Sequence, residues 1–465
     1  MYSDPIIKHV GISMTLLLLS RLQFALTISF HIIFPAFSIG LATYLVVIEG
    51  MWLKTGHKVY YRTARYFSKI LALTFGMGII SGLAMAFQMG TNWAGFSKIV
   101  GPVLGVLFTL ESLTAFFVEA TFLGFMLFGW HLVSKRLHFF STIMVCFGVT
   151  LSAFWIMAAN SWMHTPSGVV YENGHFIVKN WLLVVFNPST LPRFTHMIIA
   201  SYIATLMIIA MISAFNILRK RFQYFALKNL KLALIFLTIF APLQIIIGDL
   251  VGLKIHHYQP VKTAAIEGLW ETKNGAPLVL FANISQHERK NTYSVEIPKL
   301  ASLINTHHLN GELKGLNIVP NSELPRVSVV FYSFRVMVGL GFLIVMLTFI
   351  GLYYWLKDSL TSQYWYHRLL VICAPSGFIA LLTGWFTSEV GRQPWVVYGL
   401  VKTHDVVSQV SLKQVINGFV VIIITYGLIF GVGYLSFFFK MIKKGPVIKS
   451  RKLINNPIQQ EKHYV

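Results

Sequence analysis

The stretch GPVLGVLFTLESLTAFFVEATFLGFMLFGWH, residues 101–131, decides how this chain is read. It is apolar and long enough to cross a bilayer, which takes about 20 residues. Yet it carries two carboxylates, Glu111 and Glu119. An ionisable group at mid-bilayer costs about 2.5–3.5 kcal/mol on insertion scales, so such groups persist where they bind, pair or carry protons. Glu389 repeats the pattern in another apolar run, and His31 and His196 place imidazoles in two more. Carboxylate and imidazole together in lipid point to a buried metal cofactor, a proton path, or both.

The rest of the chain extends the same reading. Of its 465 residues, 55% are hydrophobic and only 12% charged, against about 25% charged in soluble domains. Nine stretches are long and apolar enough to span: 22–48, 67–90, 101–131, 139–160, 195–217, 231–252, 329–354, 367–389 and 415–440. The expected fold is an all-α polytopic membrane protein, a bundle of about nine transmembrane helices. No signal-peptide cleavage site is seen in the first 20 residues, and Ile6–Leu19 reads as a short amphipathic helix on the surface.

A net charge of +22 raises nucleic acid as a partner. The placement of the charges argues for a membrane and no nucleic acid. Lys54, Lys58, Arg62 and Arg65 fall in one short loop, Lys135 and Arg136 in a second. Arg219, Lys220, Arg221 and Lys228 fall in a third, and Lys443, Lys444, Lys449, Arg451 and Lys452 in the tail. The alternate loops are poorer in Lys and Arg, which sets the N-terminus outside and the C-terminus in the cytoplasm. Three regions follow: helices one to six within 1–252, a polar outer loop at 253–328, and helices seven to nine with a basic tail within 329–465. Cys146 and Cys373 lie in apolar runs and form no haem-attachment motif, so any haem is held non-covalently.

Several side chains carry chemistry. Imidazole is the commonest haem-iron ligand, and His with Met is an axial pair for electron-transfer haem. His31 and His196 are candidates, each also readable as a packed core residue; Met337 by itself reads as an adaptable core filler and becomes a candidate only as the axial partner of a histidine. Arg335, two residues before Met337, suits a haem carboxylate. Glu389 opens Glu389-Val-Gly-Arg-Gln-Pro-Trp395, where Pro394 ends the helix and Gly391 permits close approach. Glu389 either pairs with Arg392 one turn on or ligates iron while Arg392 balances a haem carboxylate. Glu111 and Glu119 stand about 12 Å apart on a straight helix, turned by roughly 80°. That spacing suits relay stations joined by water, or two unrelated polar contacts. Lys262-Thr-Ala-Ala-Ile-Glu267 reads as a solvated surface helix or as a grip on a polar headgroup.

Seven segments, in order along nearly the whole chain, resemble subunit I of the cytochrome bd family of quinol oxidases. They are Ser20-Arg-Leu-Gln-Phe-Ala-Leu-Thr27 leading to His31, Phe87-Gln-Met-Gly-Thr-Asn-Trp93, and Leu110-Glu-Ser-Leu-Thr-Ala-Phe-Phe-Val-Glu119. Then come Arg193-Phe-Thr-His196, Lys262-Thr-Ala-Ala-Ile-Glu267, Phe334-Arg-Val-Met337 and Gly384-Trp-Phe-Thr-Ser-Glu-Val-Gly-Arg-Gln-Pro-Trp395. The resemblance implies a haem-binding bundle in a bacterial inner membrane. His196 and Met337 would hold a low-spin haem b. His31 and Glu389 would each hold one of two high-spin haems: a haem b, and a haem d or third haem b. Glu111 and Glu119 would lie on a proton route, and Trp385 between haems. Arg335 and Arg392 would meet haem carboxylates, and Lys262 and Glu267 would engage ubiquinol or menaquinol. The implied partners are an oxidase subunit II, a small single-span accessory subunit, dioxygen and membrane lipid.

The short 253–328 loop places the chain with the short-loop branch, which includes cyanide-insensitive oxidases. Ala86 stands where many members have a glutamate. The expected activity is quinol oxidation coupled to reduction of dioxygen to water, with protons released and taken up on opposite sides and no pumping. Two rival classes remain at this point: a haem electron carrier without oxygen chemistry, and a proton-coupled transporter. The second sits poorly with the absence of a visible repeat.

Overall fold

The computed structural model describes residues 5–408 and 410–446, so Lys449, Arg451 and Lys452 of the basic tail lie outside the described residues. Among the described residues, nine helical runs are long and apolar enough to cross a membrane, one for each expected span. The first two are α1 (Pro5–Thr55) and α2 (Lys58–Gly90). The third is compound: α3 (Ala94–Glu111), a π turn over Ser112–Phe116, and α4 (Phe117–Phe128). Then come α5 (Lys135–His164), the short α6 (Trp181–Val185), α7 (Thr190–Leu218) and α8 (Gln223–Tyr258). The long connection holds α9 (Pro260–Glu267) and α10 (Leu300–Thr306). α11 (Val327–Leu356) follows, then α12 (Tyr364–Ile372) and α13 (Ser376–Val390), which share the eighth run. The ninth is α14 (Leu412–Tyr426), a π segment over Gly427–Tyr434, and α15 (Leu435–Lys444).

Two expectations are revised. Ile6–Leu19 is not a separate surface helix: α1 runs unbroken from Pro5 into the first span, with no proline after Pro5 until Pro35. The sixth span does not stop at residue 252 but continues as helix to Tyr258. Among the described residues, strands occur only in the connections, as two-stranded antiparallel pairs; the largest joins β1 (Leu278–Ser285) and β2 (Lys290–Ile297) in the long one.

α7 is the central helix, with 83% of its apolar window buried. It packs on α1, α5, α8, α12 and α13. α7, α8, α11 and α13 close a ring, each touching the next, so α7 and α11 stand diagonally opposite. Two of the sequence motifs pair with each other across α1 and α2. Gln88 donates to the Thr27 hydroxyl at 2.6 Å, and Asn92 donates to the Gln23 carbonyl at 2.8 Å. Both pairs are spaced four residues apart, one helical turn, so the two faces meet in register.

At the end bearing the basic loops, Glu49 is buried at 1% exposure. It accepts from the Thr142 hydroxyl at 3.0 Å and meets His138 Nδ1 at 3.1 Å. His138 Nε2 donates to the Met126 carbonyl at 3.0 Å, and its ring lies 4.0 Å from Trp130. This fourth intramembrane glutamate fell one residue past the expected end of the first span. It clamps α1, α4 and α5 together. Replacing Glu49 by Leu strands two buried polar partners, a loss of about 1–3 kcal/mol each when unsatisfied. Thermal unfolding of the purified complex should therefore show Glu49→Leu clearly below wild type, and Glu49→Gln, which keeps an acceptor, between the two.

Candidate functional site

The densest polar cluster lies at the opposite, loop-rich end, around the carboxylate of Glu389 near the end of α13. Arg392, in the turn after α13, donates to Oε2 at 2.6 Å. Asn160 Nδ2 and His164 Nε2, both on α5, reach Oε1 at 3.0 Å each. Arg193 at the start of α7 lies 3.9 Å from Oε1 and also donates to the Asn160 side-chain carbonyl. The expected Glu389–Arg392 pair is thus present, but it is one contact among four. Arg193, Asn160 and His164 were not picked out as site residues. Arg193 was visible inside a motif; nothing local in sequence marked Asn160 or His164, which lies beyond the expected end of span four.

Two guanidiniums face one carboxylate here. Arg193 Nε and Arg392 Nε and Nη1 are buried without a partner. Buried unpaired donors are costly, and an anionic group such as a carboxylate would suit them. Arg335 behaves differently from expectation: its Nε and Nη2 donate to the Val279 carbonyl at 3.0 and 2.6 Å, and Nη1 to the Ile266 carbonyl at 2.7 Å. It also meets Glu267 at 3.4 Å. The guanidinium is occupied in fastening the long connection to α11.

The α9 segment is not a solvated surface helix. Lys262 and Glu267 are 1% and 3% exposed, because α9 packs on α8 and α11 with Leu316 of the long connection over it. Glu267 Oε1 accepts from Asn305 at 3.0 Å. Lys262 turns the other way, towards α13. A side chain on Gly391 would begin 2.8 Å from Lys262 Cγ, so the glycine leaves the channel through which the lysine passes. Lys262 Nζ ends 3.0 Å from His164 Nδ1.

His196 and Met337 occupy the diagonal helices of the four-helix ring, α7 and α11. His196 Nε2 is 3.2 Å from the Gln244 amide, while Nδ1 is buried with no partner. A Cβ at Gly384 would lie 2.6 Å from Met337 Sδ, and one at Gly248 would lie 3.4 Å from His196 Cε1. Small residues beside both side chains, and an unused ring nitrogen, fit a flat group held between them. Among the described residues, no three of His, Cys, Asp and Glu gather as a metal cage, and a haem iron needs only one or two protein ligands. His31 lies apart on α1, with Nδ1 3.0 Å from the Ser81 hydroxyl of α2. Trp385 follows Gly384 on α13, its ring edge-on to Phe386 at 5.8 Å.

The π turn over Ser112–Phe116 lies between Glu111 and Glu119. A straight helix would set them on different faces. Instead, Glu111 accepts from Ser152 at 2.6 Å, and a Cβ at Gly148 would meet the Glu119 Cβ at 3.0 Å. Gly148 and Ser152 are one turn apart on α5, so both glutamates address one stripe of that helix. Farther along α5, Trp155 Nε1 donates to Thr114 in the π turn at 3.0 Å.

Burial, with Arg193 and Arg392 near, holds the Lys262 amine well below the usual lysine range despite the pull of Glu389. A lysine with a lower pKa folded than unfolded loses its proton on folding, so stability rises with pH up to the unfolded value near about 10.4. Raising the pH from about 6 to about 9 should therefore stabilise wild type relative to Lys262→Met, measured as the difference between their unfolding temperatures. A difference that stays flat with pH would remove the buried-amine account.

The sequence profile described as Cytochrome bd terminal oxidase subunit I matches residues 19–446. The chain is 32% identical to cytochrome bd ubiquinol oxidase subunit 1 of Bacillus subtilis, covering 93% of this chain and 94% of the relative. It is 30% identical to cytochrome bd-II ubiquinol oxidase subunit 1 of Escherichia coli, covering 88% and 93%. Its fold is similar to the solved structure of bd oxidase from Geobacillus thermodenitrificans, with a TM-score of 0.86, 29% identity, and coverage of 93% and 99%.

Proposed function

Because the chain belongs to the cytochrome bd terminal oxidase subunit I family, we propose that its loop-rich end oxidises a membrane quinol and that its buried ligands hold three haems. It is the subunit I of a terminal respiratory oxidase, a quinol:oxygen oxidoreductase, and a multi-pass protein of the bacterial inner membrane. The transporter and the oxygen-inert electron carrier are thereby set aside. The family carries haem and works with a second subunit; the finer assignments below are proposals.

The observation that carries the reading is the cluster at Glu389, where two arginines hold three unpartnered N–H donors around one carboxylate. A site of that charge is built to receive carboxylates. His196 and Met337 are assigned to a low-spin haem b. His31 and Glu389 are assigned to two high-spin haems, a haem b and either a haem d or a third haem b. Trp385 would lie between haems, and Arg392 with Arg193 would meet their carboxylates. Haem held by these residues would supply the redox chemistry that joins quinol oxidation to dioxygen reduction.

The chain's own residues handle protons and position. The loop-rich end faces outward and the basic end the cytoplasm. On α9, Lys262 orients the quinol head and Glu267, steadied by Asn305 and Arg335, accepts its proton for release outside. Glu111 and Glu119, on one stripe of α5, pass protons inward from the cytoplasmic side, together with groups on the second subunit. Uptake and release on opposite faces store about 2.3 kcal/mol per charge per 100 mV, with no pump. The quinol is ubiquinol or menaquinol. Subunit II would be the partner, joined by a small single-span accessory subunit.

Reduced-minus-oxidised spectra of the purified complex test the ligands. His196→Ala and Met337→Ala should lose the low-spin signal and keep haem that binds carbon monoxide. A normal low-spin signal in either variant would refute the pair. Glu389→Ala should lose high-spin haem and cut oxygen uptake with quinol at least a hundredfold, about 2.7 kcal/mol of barrier.

A further inference from the structure

The ring of His164 joins two parts of the proposed machinery that do not otherwise touch. It is 1% exposed. Nδ1 lies 3.0 Å from Lys262 Nζ, and Nε2 lies 3.0 Å from Glu389 Oε1. An ionised carboxylate offers only acceptors, so Nε2 donates to Glu389. A neutral ring then accepts at Nδ1, where the Lys262 amine, charged or neutral, has an N–H to give. Gln259 adds to this: its amide donates to the His164 carbonyl at 2.7 Å and lies 3.4–3.5 Å from Nδ1. A small cavity with room for about one water adjoins the ring, lined by His164, Arg193 and Gln259.

We propose that His164 is a positioning residue that couples the quinol-side lysine to Glu389, so that a change at Lys262 is felt at the iron side of α13. The inference rests on the roles assigned above to Lys262 and Glu389. A quinol head that draws Lys262 towards itself weakens the bond to Nδ1. The ring is then free to shift, and Oε1 of Glu389 loses its fixed donor. Linkage is reciprocal: whatever alters Glu389 alters the hold on Lys262 by the same factor. Asn160 and Arg392 keep Glu389 in place meanwhile, so the coupling tunes the carboxylate without releasing it.

The test is a double-mutant cycle in the purified two-subunit complex, read by redox titration of the high-spin haems. Lys262→Met in wild-type background should move a high-spin midpoint potential by the equivalent of about tenfold, about 59 mV for one electron. In a His164→Leu background the same change should move it by less than a third of that. His164→Gln, which offers both an acceptor and a donor, should restore the full shift. Its KM for decylubiquinol should stay near wild type, while that of His164→Leu rises several-fold. An equal Lys262→Met shift in both backgrounds overturns the proposal. Where His164→Leu does not assemble, His164→Asn, too short to span both partners, gives the same comparison. Glu389→Ala separates the two levels. Loss of its haem with no His164-dependent coupling sinks this proposal alone; retention of every haem sinks the assignment beneath it and this proposal with it.

Discussion

Everything at the loop-rich end depends on one buried carboxylate. Glu389 is the negative charge between two arginines, and α5, α7 and the turn after α13 each supply a group to it. Removing one partner of a buried ion pair costs about 3–5 kcal/mol, because the opposite charge is left uncompensated. Here two guanidiniums would be left. The network therefore fixes how three helices end relative to one another, and it does so while still holding unpartnered donors. A carboxylate-bearing guest would satisfy those donors, and its binding would then stabilise this end.

α5 organises the other chemistry. From His138 to His164 it rises roughly 39 Å, at about 1.5 Å per residue, and it meets a glutamate at three levels. Glu49 sits on His138 and Thr142, the Glu119–Glu111 pair on Gly148 and Ser152, and Glu389 on Asn160 and His164. The three stations differ in what they leave open. At the basic end the imidazole is occupied on both sides and the cluster is a clamp. At the middle level the π turn lets two carboxylates share a stripe. A π turn inside a membrane helix is often found where function sets the geometry, and here its effect can be named.

The long connection is a lid in substance. α9 is buried, and Arg335 reaches back from α11 to bind its last turn and strand β1 at Val279. Lys262 and Glu267 leave that helix in different directions, one towards Glu389 and one towards Asn305. The segment proposed to meet quinol is therefore fastened to the ring of helices holding His196 and Met337.

Hydropathy alone located nine spans, because lipid leaves a chain few ways to satisfy its backbone, and the resemblance carried by seven motifs in order pointed to the family. The same reading picked out Glu111, Glu119, Glu389, His31 and His196, since charge and imidazole are conspicuous in apolar surroundings, while Met337 stood out only beside the family resemblance. Residues at the ends of spans were not conspicuous. Glu49 and His164 sit where polar side chains are expected on composition, and only packing shows that they are buried. The face relation of Glu111 to Glu119 needed the π turn, which apolar periodicity does not reveal. The burial of α9 needed a hairpin and the Arg335 clamp, contacts between residues 56 to 69 positions apart. What the sequence determined by itself was the set of helices and the ionisable groups that lipid makes expensive. Which of those groups meet was decided by tertiary structure, because a carboxylate chooses its partners by position in space and not by distance along the chain.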